Sequence, residues 1–152
     1  MKTQIISILI PTDFSDLSES ALKVGIAIAK RQNAKVTLLH VVDLLPNLLP
    51  TQVLLSDNKE VLTRMEEKLL GLSEKIQKDS GVKVIVKAIE GTPSNGICKF
   101  AYEEKISLIV MGTHGVSGVR EFFIGSEAFK VVKNASCPVL TIPGNWQKTD
   151  FE

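Results

Sequence analysis

The residues Met111-Gly112-Thr113-His114-Gly115 are followed, after nine further positions, by Gly125-Ser126, giving the spacing Gly112-x2-Gly115-x9-Gly125-Ser126. Glycines let backbone N–H groups come close to phosphate oxygens and reach positive φ. The start of a helix adds unpaired N–H groups and a partial positive charge. Ser126 contributes a hydroxyl, as a phosphate donor or as a helix N-cap. The spacing therefore reads as a phosphate site or as a set of glycine turns. Two more polar groups directly follow apolar runs, in Pro11-Thr12-Asp13 and in Val41-Val42-Asp43. Inside the glycine loop, His114 is a solvated histidine, a phosphate contact or a proton carrier. Arg120 and Lys130 are exposed cations or counter-charges to phosphate. His40 lies in an apolar run and reads as a hydrogen-bonded core residue. Glu127, next to Ser126, puts a carboxylate in the first turn of the expected helix. That position suits the helix dipole but repels a nearby triphosphate.

Five short runs rich in Val, Ile and Leu must carry these groups: Gln4–Ile10, Lys35–Val42, Val82–Ala88, Ser107–Met111 and Val139–Ile142. Near-continuous apolar runs suit strands covered by helices on both faces, so the expected class is α/β with a parallel sheet. Between them, Asp16–Gln32 reads as a helix capped by Ser15 or Asp16 and stopping near Asn33. Asn58–Asp79 carries Leu62, Met65, Leu69, Leu72 and Ile76 at alternating spacings of three and four, a stripe for packing onto a sheet. Thr92-Pro93 reads as an N-cap followed by proline at the first helical position of a helix through Tyr102. Gly125-Ser126 opens a last helix to about Asn134. The long irregular segment Asp43–Asp57 holds Pro46, Pro50 and several leucines that cover a ligand, meet a partner or tuck onto the domain. In parallel sheets of this kind ligands bind beyond the carboxyl ends of the strands, where Asp13, Val41 and Gly112 all fall.

Taken together, the stretches ILIPTDFSDLSESALKVGIAIAK, LLHVVD and IVMGTHGVSGVREFFIGSEAFKVVKNASCPVLTIP resemble the universal stress proteins, in particular their nucleotide-binding branch. The Gly112 to Ser126 spacing matches that branch's ATP-binding pattern, G-x2-G-x9-G followed by Ser or Thr. The resemblance implies a Rossmann-like three-layer sandwich with a five-stranded parallel sheet of order 3-2-1-4-5 and helices on both faces. It also implies a homodimer through the C-terminal strand, and ATP, or ADP or AMP, in a cleft at the strand ends, with Mg²⁺ or Mn²⁺ as a possible companion. Carried over by position, Asp13 meets the adenine or ribose, with Pro11 and Thr12 shaping that wall, and Val41 meets the adenine edge through its backbone. Met111 and Gly112 lie along the nucleotide, while Gly115, Gly125 and Ser126 hold the ribose and phosphates. The function implied is a stress-response or regulatory module with an unknown protein client. A weak ATP hydrolase or phosphotransferase, and a nucleotide-independent dimeric scaffold, are the alternatives.

At 152 residues the chain suits one domain, expected over 1–144 with a short tail at 145–152. Its 18 Lys and Arg nearly balance 17 Asp and Glu, which argues against a broad nucleic-acid-binding field. The opening MKTQIISILIPTDFS is too short in apolar residues for a signal or a membrane span, so a cytoplasmic location is expected. Cys98 and Cys137 form no CxxC or Cys/His cluster and read as buried free thiols, with no metal site. The sequence contains no P-loop, GxSxG, HExxH or kinase motif set, and no early GxGxxG, so no catalytic residue is assigned.

Overall fold

The alternation of apolar and amphipathic runs becomes an alternation of strands and helices: β1 (Ser7–Pro11), α1 (Asp16–Gln32), β2 (Lys35–Val42), α2 (Asn58–Ser80), β3 (Val84–Glu90), α3 (Pro93–Glu103), β4 (Leu108–Gly112), α4 (Ser126–Asn134) and β5 (Val139–Ile142). These come from a computed structural model that describes residues 4–43, 58–113, 125–144 and 146. All five strands pair in parallel, in the order β3-β2-β1-β4-β5. This is the α/β sheet order that the resemblance implied. None of the described helices is long and apolar enough to cross a membrane.

Two cores follow from the period of two in the strands. Ile8, Ile10, Val36, Leu38, Leu108 and Val110 join Ala21 and Leu22 of α1 and Leu69 of α2 in one buried cluster. Leu9, Leu39, Ile109 and Met111 point the other way, toward Ile97 and Ala101 of α3 and Ala128 and Val131 of α4. Both faces of the central strands are therefore apolar, which is why their sequences are near-continuous in aliphatic residues. Burial of each such side chain contributes about 1.5–3 kcal/mol. The α2 stripe serves the first core: Leu62, Met65, Leu72 and Ile76 pack around Leu69 against the sheet. Half-buried Cys98 and Cys137 border the second core, more exposed than the buried thiols expected. Burial pushes both thiols up, so neither is poised as a reactive thiolate.

Local chemistry moves two strand boundaries. β1 starts at Ser7 rather than Gln4, and just before it the Ile6 N–H donates to the Ser107 hydroxyl instead of entering the ladder. The third strand runs Val84–Glu90 rather than Val82–Ala88. Gly81, at φ +74°, turns the chain out of α2, and the Val82 N–H is taken by the Ser80 hydroxyl. At its far end Glu90 still pairs opposite Val42, since the ladder depends on the backbone and not on the side chain. For α1 the N-cap is Ser15, whose hydroxyl accepts the Ser18 N–H, and Asn33 closes the helix in the left-handed region at φ 53°.

Candidate functional site

The strand order reverses between β1 and β4, and there the chain leaves the carboxyl ends of both strands in opposite directions. A cleft of about 240 Å³ opens at this point. Pro11, Thr12 and Asp13 line it from the end of β1, Val41 from β2, and Met111 and Gly112 from β4. Gly125 and Ser126 close it from the start of α4. Eight of the nine residues expected from the sequence thus surround one cavity. The ninth, Gly115, lies outside the described residues, as do His114, Arg120 and the loop leucines between residues 44 and 57.

A closed set of hydrogen bonds holds the β1 to α1 turn. The Ser18 hydroxyl donates its single proton to the Ser15 carbonyl at 2.8 Å, so in its 3.0 Å contact with Thr12 Oγ1 it is the acceptor. Thr12 Oγ1 in turn accepts the Phe14 N–H at 3.0 Å, while the Thr12 N–H donates across to the Leu39 carbonyl at 2.9 Å. Phe14 sits at φ 64°, a conformation that a bulky residue adopts only where its surroundings hold it. Its ring lies 5.0 Å from that of His40 and beneath the Lys68 ammonium at 4.0 Å. Asp13 Oδ1 accepts both the N–H and the hydroxyl of Ser15, an Asx turn that fixes the carboxylate at the mouth of the cleft.

His40 is hydrogen-bonded as expected, through Nδ1 to the Thr12 carbonyl at 2.8 Å. A carbonyl only accepts, so Nδ1 carries the proton. His40 also borders the cleft, together with Leu39, Pro93, Ile97, Thr113 and Glu127. Pro93 was within reach of the same strand-end reasoning, since Gly91-Thr92-Pro93 directly follows β3. Leu39 and Ile97 carry no such signal, being ordinary core residues by type.

At α4 the N-cap is Gly125, and Ser126 is the first helical residue rather than the cap. Gly125 has φ −57°, which any residue adopts, so glycine's contribution there is the missing side chain and not a special backbone angle. Its N–H donates to the Thr113 carbonyl at 2.7 Å, tying the helix start to the end of β4. No side chain caps α4 at Gly125. The N–H groups of its first turn have no acceptor inside the helix, and with the helix dipole they favour a bound anion.

Across the cleft α3 begins at Pro93, and Thr92, in the N-cap position, makes no side-chain capping bond. The expected capping role of Thr92 passes instead to Glu127 of α4. Glu127 Oε2 accepts the N–H of the buried Ser94 at 2.8 Å, and Oε1 accepts from Lys130 Nζ at 3.0 Å. Partial burial pushes the pKa of Glu127 up, but the Lys130 contact and the Ser94 N–H and hydroxyl outweigh it and hold the carboxyl below its usual value. Lys130, weighed from the sequence as a counter-charge for phosphate, is engaged by Glu127.

A doubly wound parallel α/β protein with a cleft at its switch point is the class these features define. The profile of the universal stress protein family matches residues 6–143, and the chain belongs to that family. It is 41% identical over 136 residues to the universal stress protein MJ0531 of Methanocaldococcus jannaschii, covering 89% of this chain and 80% of that protein. The solved universal stress protein UspA from Lactobacillus plantarum superimposes with a TM-score of 0.78 at 27% identity, over 91% of this chain and 98% of that one. For the solved MJ0577 of M. jannaschii the TM-score is 0.75 at 32% identity, over 92% and 96% of the two chains.

Proposed function

We propose that this universal stress protein binds an adenine nucleotide in the switch-point cleft and acts as a dimeric regulatory module whose bound nucleotide biases its partner choice. One observation carries the reading: three strand ends and the glycine-capped start of α4 converge on a single cavity. Val41 and Met111 supply apolar wall for a base, Asp13 an acceptor for ribose hydroxyls, and the first turn of α4 donors for phosphate. Solved universal stress proteins in complex with cAMP and, from Archaeoglobus fulgidus, with dAMP share this fold at 20% and 21% identity. The assignment for this chain rests on its own cleft residues. Among the described residues no group of three or more His, Cys, Asp or Glu is placed to hold a metal.

Isothermal titration with ATP, ADP, AMP and cyclic AMP tests the reading. Heat from at least one of them supports it, and none from any at millimolar concentration refutes it. A hydrolytic role gains no support from Glu127, the carboxylate beside the start of α4, because both its oxygens are engaged by Ser94 and Lys130. Dimerisation is proposed along β5, the edge strand beside β4, where Leu140 is exposed. Light scattering should give a dimer mass for the wild type and a monomer mass for Leu140→Lys; a wild-type monomer at micromolar concentration overturns the dimer.

A further inference from the structure

Two helices begin at the same corner of the cleft. Pro93 opens α3, an 11-residue helix, and Gly125 and Ser126 open α4, a 9-residue helix, and all three residues line the cavity. Each start carries unpaired N–H groups and a partial positive charge. They differ in what satisfies them. In α4 the N-cap is a glycine, with no side chain to cap the first turn, whereas in α3 the Ser94 N–H and hydroxyl are taken by the Glu127 carboxylate. That carboxylate lies in the first turn of α4 itself and also lines the cavity. It fills, from within the chain, the place of an anion at the start of α3. It also engages the Lys130 ammonium at 3.0 Å.

We infer that Glu127 is a specificity-determining residue that limits the nucleotide to few phosphate charges, so that a monophosphate or cyclic monophosphate is preferred over a triphosphate. This rests on the proposed nucleotide site and adds to it the phosphate number. A single phosphate meets the open first turn of α4. Further phosphates would add negative charge to a cavity that the Glu127 carboxylate also lines. Removing one unit charge at this half-exposed position is expected to change relative affinities by about tenfold, equivalent to about 1.4 kcal/mol.

The test compares the affinities of AMP and ATP, without metal and at fixed ionic strength, for the full-length wild type, Glu127→Gln and Lys130→Ala. The amide oxygen of glutamine still accepts the Ser94 N–H, so α3 keeps its cap and the variant should melt within a few degrees of the wild type. Glu127→Ala, which leaves the Ser94 N–H open, is the second variant should Gln fail to fold. Wild type should bind AMP at least as tightly as ATP. Glu127→Gln should raise ATP affinity relative to AMP about tenfold, and Lys130→Ala should move the ratio the opposite way. A wild-type preference for ATP, or an unchanged ratio in Glu127→Gln, overturns the selectivity while leaving the nucleotide site intact. Absence of binding by any nucleotide to wild type and variants removes the site and the selectivity together.

Discussion

Replacing Thr12 by Val keeps the shape of a buried side chain and deletes only its hydroxyl, isolating the hydrogen bonds that hold the β1 to α1 turn. Two contacts are lost. The Phe14 N–H, part-buried, loses its 3.0 Å acceptor, and the Ser18 hydroxyl loses the proton it accepts while keeping its own donation to the Ser15 carbonyl. An orphaned donor costs about 1–2 kcal/mol and the lost acceptance about 0.5 kcal/mol, for a total near about 2 kcal/mol. The strain of Phe14 at φ 64° makes relaxation of the turn the easiest response. For a chain of this size the loss corresponds to a fall in Tm of about 4–8 °C. Because Asp13 is held by Ser15 in the same turn, nucleotide affinity should fall several-fold alongside stability. Urea denaturation and calorimetric titration of Thr12→Val and Thr12→Ser provide the comparison, since serine retains the hydroxyl and loses only a methyl. A Thr12→Val protein within about 0.5 kcal/mol of wild type, or one less affected than Thr12→Ser, would refute the assignment of this turn's rigidity to the hydroxyl network.

The remaining predictions concern α3 and α4. A Cβ at Gly96 would stand 3.1 Å from both methyls of Val41 and 3.3 Å from Ile89 Cδ1, so Gly96→Ala must displace Val41 by a few tenths of an ångström. The helix-propensity gain of about 0.5–1 kcal/mol offsets that strain, leaving urea stability near wild type while nucleotide affinity falls; unchanged affinity would remove Val41 from the site. With its native pKa lowered, Glu127 binds a proton more readily in the unfolded chain than in the folded one. Its stabilisation is therefore complete above the unfolded value and is lost as pH falls through the lower native value. Thermal melts between about pH 3 and pH 7 should show Glu127→Gln losing less stability on acidification than wild type, and parallel pH profiles would contradict the Ser94 and Lys130 contacts.

The residue order alone determined the class of the fold and most of the cleft wall. Apolar runs with no polar alternation demand burial on both faces, and the stripes of α1 and α2 demand a sheet beneath them, so parallel α/β packing is legible before any coordinate is known. Asp13 and Gly112 follow from a rule about strand ends, which depends only on knowing where strands stop, whereas Val41, core by type, enters only through the family resemblance. Local signals failed where a side chain competes with the backbone ladder: Ser107 takes the Ile6 N–H just before β1, and Gly81 with Ser80 delays β3. Tertiary structure alone decided which groups meet across elements. Thr92 has the right type and place to cap α3, yet Glu127, 33 positions beyond the Ser94 whose N–H it accepts, does so, and Lys130 is engaged there in place of phosphate. Periodicity and caps arise from interactions within a few residues of chain. The partner of a charged group is set by how helices pack on the sheet, and for Glu127 that packing turns a feature of one helix into part of another's start.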